Sequence, residues 1–173
     1  DEHWDKSDMV FHLKNTKVAT LLLEAILREH ERKNYRLHRY CIMPNHVHLL
    51  VEPLPENAAG VPCAEDAPAW PPCFYTDEGR GLLTGDRTAE ELIWRPLWMT
   101  MKSIKGSTAY RIGQIVGVSG NLWMPENYDH WIRNKEEYER VVDYIDNNPV
   151  KAGLCSKPSD WKFSSAGANL PST

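Results

Sequence analysis

Two histidines separated by one residue, His46-Val47-His48, are the first groups in the chain whose types and spacing suggest chemistry. Side chains along a strand alternate between faces, so His46, His48 and Leu50 point one way and Val47, Leu49 and Val51 the other. Two imidazoles on one face can chelate a single divalent cation. A histidine pair on a half-exposed strand also serves as plain structure, so the pair alone leaves metal binding open. Far along the chain, Tyr144 and Asn148 are four residues apart and share one face of a helix. A phenol and an amide oxygen so placed could act as nucleophile and third ligand. The alternatives are a core tyrosine, in a stripe with Tyr138, Val141, Val142 and Ile145, and an Asn148 that only caps a helix end. A residue before proline is biased away from helical dihedrals, which favours the cap.

The elements that must position these groups are legible in outline. Val18, Leu21, Leu22, Ala25 and Ile26 line one face of a helix predicted over 17–32, capped by Asn15 or Thr16. Two strand-like runs, 35–43 and 46–52, joined by Pro44-Asn45, predict an antiparallel hairpin. Leu97, Met101, Ile104 and Ala109 give approximate helical spacing over 97–112. A glycine-rich turn at 117–120 then leads into an aromatic-rich stretch, 122–132, expected to be extended. The last helix is predicted over 135–147, with Asn134 and Glu137 in the capping-box relation and Pro149 ending it. The intervening 55–93 is Pro-rich, acidic and without periodicity, and is expected to be an insertion, partly disordered, in a single domain spanning 1–173. There is no internal repeat.

Charge is unevenly distributed. The net charge of −4 is concentrated in residues 56–93, with two basic and eight acidic groups, while 94–173 has ten basic and eight acidic, so the rest is mildly basic and compatible with DNA. Lys102, Lys105 and Arg111 on the middle helix, with Arg133 and Lys151, are the candidate DNA-binding cations; a solvated basic face is their plain alternative. Trp123, Tyr128 and Trp131 could stack on unpaired bases or fill the core, and for Trp123 the core is favoured. No apolar run reaches the ~20 residues of a membrane-spanning helix, and no secretory signal pattern is visible, so a cytoplasmic protein without membrane association is expected. Cys41, Cys63, Cys73 and Cys155 form no C-x-x-C pair and are expected to be reduced thiols, with a Cys63–Cys73 bridge as the lesser alternative.

Two long motifs now carry a resemblance. Tyr40-Cys-Ile-Met-Pro-Asn-His-Val-His-Leu-Leu-Val-Glu-Pro53 resembles the HUH signature strand of the REP-associated tyrosine transposases, relatives of the insertion-sequence-200-like transposases. Tyr138-Glu-Arg-Val-Val-Asp-Tyr-Ile-Asp-Asn-Asn-Pro-Val-Lys-Ala-Gly-Leu154 is similar to their catalytic-tyrosine helix, and Trp123 through Asn134 and Asp160-Trp-Lys-Phe-Ser-Ser-Ala166 also match. The resemblance covers roughly 2–54 and 96–167. It implies an α+β fold, an antiparallel β-sheet with helices packed on it, mainly on one face, around the ferredoxin-like or RRM-like core of HUH endonucleases. It assigns His46 and His48 to the metal, Asn148 to the third ligand position and Tyr144 to the nucleophile; Tyr128 and Tyr138 fall where the family has no nucleophile.

The activity so implied is cutting of single-stranded DNA near imperfect REP-like hairpins, with a 5′-phosphotyrosine intermediate and Mg²⁺ or Mn²⁺. The expected partner is single-stranded or hairpin DNA and not a small-molecule substrate, with the protein a monomer and a dimer left open. A binder of hairpin DNA that retains the site but not turnover is the alternative, and a hydrolytic metallonuclease without covalent intermediate a third reading. Two departures from the family bear on this. The chain is expected to start after an N-terminal strand that precedes the region matching Glu2-His3-Trp4 and lies beside the HUH strand, and the acidic insertion is atypical.

Overall fold

The computed structural model describes residues 12–54, 96–118, 122–124 and 127–167. The expected insertion, the region around Glu2-His3-Trp4, and Cys63 and Cys73 lie outside them. Three α-helices and a two-stranded antiparallel sheet make up the described part: α1 (Thr16–Glu31), β1 (Tyr35–Ile42), β2 (Val47–Pro53), α2 (Leu97–Val116) and α3 (Lys135–Lys151).

α1 starts where Asn15, in extended backbone, accepts a hydrogen bond from the Lys17 N–H at 3.0 Å, satisfying one of the orphan donors of the first turn. All five apolar residues of its predicted stripe are buried, together with Ala19, Glu29 and His30. Glu29 is tolerated inside because Asn34 and Ser103 donate to its carboxylate and Arg32 lies 3.4 Å away. The Tyr35 hydroxyl donates to the Ile26 carbonyl at 2.7 Å and so ties β1 to α1. Ile26 is fully buried at this junction. Ile26→Ala is expected to cost about 2–5 kcal/mol, by lost transfer free energy and the cavity left behind. Urea unfolding reads this as a lower midpoint at unchanged slope.

β1 and β2 pair from Tyr35↔Pro53 to Ile42↔Val47, and the Met43 N–H donating to the His46 carbonyl at 2.8 Å closes the Pro44-Asn45 turn. A register shift between Leu37 and Arg39 inserts an extra residue, as a β-bulge does. Alternation divides the hairpin into two faces. Leu37, Tyr40, Ile42, Val47, Leu49 and Val51 pack with α1 and α2. Cys41, Met43 and Leu50 pack with Tyr138, Val141, Val142, Tyr144 and Ile145 of α3. The helices therefore cover both faces, rather than mainly one, because both faces of the hairpin carry apolar residues. The free edge of β1 is occupied by the C-terminal segment: the Ile42 N–H donates to the Phe163 carbonyl, the Tyr40 N–H to Ser165 Oγ, and Trp161 Nε1 to the Ile42 carbonyl.

Two further expectations are corrected. α2 buries Thr100, Ile104, Thr108 and Ile112, a stripe shared with the predicted one only at Ile104. A buried threonine behaves as an apolar residue when its hydroxyl is satisfied locally, and Thr108 Oγ1 donates to the Ile104 carbonyl at 2.7 Å. The described residues of 122–132 belong to no strand; Trp123 donates from Nε1 to Thr108 Oγ1 and packs against the α1–α2 core. Finally, α3 runs through Pro149 to Lys151. Proline fixes φ at a helical value and here removes one donor near the helix end, and its ring is fully buried. The chain exits two residues later at Gly153, whose φ of 69° is the left-handed conformation glycine adopts freely.

Among the described residues, Cys41 is buried and Cys155 half-buried, both as free thiols. No helix among them is long and apolar enough to cross a membrane.

Candidate active site

The site lies on the α3 face of the hairpin, at its turn end. His46 follows the turn and His48 enters β2, and their Nε2 atoms approach to 2.9 Å with the rings edge-on at 84°. The other nitrogen of His46, Nδ1, lies 2.7 Å from Asn45 Oδ1. His48 in turn meets Tyr144 of α3 edge to face, with centroids 5.3 Å apart. The His48 imidazole thus links His46 to the tyrosine. Lys151, two turns beyond Tyr144, places Nζ 5.3 Å from the centre of the Tyr144 ring.

Asn148 occupies helical backbone one turn after Tyr144, since α3 continues past it, and its carbonyl accepts from the Ala152 N–H. It is therefore no terminal cap, and it shares the Tyr144 face of α3. The remaining predicted cations are not gathered here. Lys102 and Arg111 are exposed on α2, in the layer on the opposite face of the hairpin. Lys105 donates to the Met124 carbonyl at 2.7 Å and so fastens the post-α2 segment. Arg133 is exposed just before α3, and its backbone N–H donates to Glu137. Tyr128 and Trp131 are 80% and 68% exposed, which removes them from the core and leaves their faces to solvent.

The two histidine nitrogens are spaced as two ligands of one small divalent cation would be. Two ligand nitrogens about 2.1 Å from one ion and at right angles around it lie about 3.0 Å apart, close to the separation of the two Nε2 atoms. Both imidazoles must be neutral to bind. His48 is held so: burial, reinforced by the nearby His46, lowers its pKa to about 4. An unfolded chain takes up a proton at His48 near pH 6.5, whereas the folded chain resists until about pH 4. The metal-free protein is therefore expected to lose up to roughly 3 kcal/mol between these values from this residue. Unfolding curves at pH 7, 5.5 and 4.5 should show that decline, and His48→Gln should flatten it.

Beyond the site, α3 and the hairpin enclose a second polar group that sequence reasoning missed. Glu52 lies 3.1 Å from Arg36 and 3.3 Å from His38, His38 stacks edge-on with Tyr138, and Arg39 pairs with Asp146 at 3.5 Å. Only the bulge brings His38 and Arg39 together onto the α3 face. Asn45 was legible merely as a turn residue, although its place directly before the histidine pair was a usable signal.

No family model matches the chain. Over 125 residues, 72% of the chain, it is 25% identical to the putative REP-associated tyrosine transposase of Haemophilus influenzae (strain ATCC 51907 / DSM 11121 / KW20 / Rd), covering 55% of that protein. Over 44 residues, 25% of the chain, it is 50% identical to the REP-associated tyrosine transposase of Escherichia coli (strain K12), covering 27% of that protein. The chain is similar to the REP-associated tyrosine transposases. A solved REP-associated tyrosine transposase, bound to a REP hairpin, shares the fold: the match has a TM-score of 0.56, covers 92% of this chain and 70% of that one, and is 22% identical. The chain spans about half the length, or less, of the curated transposases it matches.

Proposed function

We propose that the chain is a member of the REP-associated tyrosine transposases and a metal-dependent single-strand DNA endonuclease that cuts beside hairpin DNA through Tyr144. The observation that carries this reading is the linked trio: two imidazoles with Nε2 atoms 2.9 Å apart, one of them in ring contact with a tyrosine. Tyr144 Oη attacks the scissile phosphorus, a P–Oη bond forms, and the P–O3′ bond breaks. The 3′ oxygen leaves with the bonding pair and takes a proton, while the phenolic proton passes to solvent. One phosphodiester replaces another, so the liberated 3′-hydroxyl can reverse the step and rejoin strands.

A phenol is mostly protonated at neutral pH and a phosphodiester repels anions. Lys151 addresses the second problem, because its ammonium lies over the Tyr144 ring and would attract the phosphate to the nucleophile. His46, His48 and Asn148 would hold Mg²⁺ or Mn²⁺, which when bound neutralises a non-bridging phosphate oxygen and stabilises charge on the leaving oxygen. Arg133, Tyr128 and Trp131 lie ahead of α3, where an unpaired strand would meet charge and exposed rings.

The test is incubation with end-labelled hairpin oligonucleotides carrying single-stranded flanks, in Mn²⁺ or Mg²⁺, followed by denaturing electrophoresis. A labelled, denaturation-resistant protein band is expected. Cleavage without such a band would point to metal-assisted hydrolysis, and hairpin binding with neither would leave a binding protein.

A further inference from the structure

We propose that Asn45 is a positioning residue for His46, and that its amide oxygen selects the tautomer in which Nδ1 carries the proton and Nε2 keeps its lone pair. The two atoms are 2.7 Å apart, a short hydrogen bond with Nδ1–H as donor and Oδ1 as acceptor. In neutral imidazole the bond made by one nitrogen fixes the role of the other. With Nδ1 occupied, His46 Nε2 becomes an acceptor aimed at His48 Nε2, 2.9 Å away. In the metal-free chain the His48 Nε2–H is then the donor of that contact.

The turn is held in place for this task. The Leu13 N–H donates to the Pro44 carbonyl at 3.1 Å, and the Met43 N–H to the His46 carbonyl at 2.8 Å, which flank Asn45 on both sides. A ligand histidine whose second nitrogen donates to a fixed oxygen is both more basic and restrained in ring orientation. The consequence for cation binding rests on the metal-site reading above; the tautomer itself does not.

Two variants separate orientation from turn formation. Asn45→Gly keeps a turn-compatible residue and removes the acceptor, whereas Asn45→Asp keeps the acceptor. Long-range ¹H–¹⁵N spectra of the metal-free chain should show His46 protonated at Nδ1 in the wild type and in Asn45→Asp, and redistributed in Asn45→Gly. Unchanged backbone amide signals over the β1–β2 hairpin establish that the fold persists. Titration calorimetry with Mn²⁺ alone should then give about 10–100-fold weaker binding for Asn45→Gly, with affinity retained in Asn45→Asp. An Nε2-protonated His46 in the wild type overturns the proposal, as does an Asn45→Gly variant with unchanged tautomer and affinity. If the wild type binds no Mn²⁺ at all, the metal-site reading fails, and the spectra alone still decide the role of Asn45.

Discussion

In the Tyr144→Phe variant, covalent capture of DNA is expected to vanish and strand cleavage to fall by about 10⁴-fold or more, the scale on which removing a covalent nucleophile acts. The variant is well suited to the question because it deletes one oxygen and little else. The ring remains against His48 and beneath the Lys151 ammonium, and the neighbouring Ile145 keeps its burial. Hairpin affinity should stay within about threefold, since a phenyl ring retains the stacking and shape of the phenol. Adduct formation, cleavage and binding measured on the same oligonucleotide distinguish a lost nucleophile from a lost binding surface. Undiminished adduct in this variant would remove Tyr144 from the mechanism.

The second large effect is expected from His46→Ala, which takes away one of the two converging nitrogens. Cleavage should fall about 10²–10⁴-fold, corresponding to several kcal/mol of lost charge stabilisation at the phosphate. Mn²⁺ affinity should fall with it, while hairpin binding in the absence of metal is preserved. His46 sits at the turn and is only half-buried, so the fold should tolerate its truncation better than loss of a core residue such as Ile26. Calorimetry with Mn²⁺ and cleavage assays over a metal series separate the two contributions: a ligand role shifts the metal dependence to higher concentration, whereas a purely structural role lowers activity at every concentration.

The elements nearest the site were the most legible in the sequence. α1 shows its buried stripe because its apolar residues recur at helical spacing over a full element, and the hairpin shows itself through two apolar runs around Pro44-Asn45. That His46 and His48 share a face follows from strand alternation alone. What failed to show depends on groups that do not follow hydrophobic pattern. The stripe of α2 uses Thr100 and Thr108, whose side chains read as polar until a helix carbonyl satisfies a hydroxyl, as at Thr108. Residue pattern ends the helix early at Pro149, yet a proline near a helix C-terminus removes only one donor, and here its ring is buried. The contact of Lys151 with Tyr144 then depends on that extra helical turn, so the misplaced end hid it. The bulge after Leu37 leaves no mark in residue type, yet it alone presents both His38 and Arg39 to α3.

The alignment of the proposed site residues has a physical logic. β2 carries His48 on a paired strand with His46 in the turn just before it, and α3 presents Tyr144, Asn148 and Lys151 from successive turns of one helix packed on that strand. Tyr144, Asn148 and Lys151 thus sit on a regular element, and His46 is held just outside β2 by the hydrogen bond that closes the turn. The edge contact between His48 and Tyr144 is the point at which the two elements meet.

Whether Tyr144 forms the bond to DNA is read from peptide mapping of the captured protein. The adduct formed with a hairpin oligonucleotide is digested with nuclease and trypsin, and the modified peptide is sequenced by mass spectrometry. A nucleotide phosphate is expected on the peptide following Arg140, at Tyr144. The same mass increment on Tyr110, Tyr128 or Tyr138 would contradict it, as would cleaved DNA with no modified tyrosine.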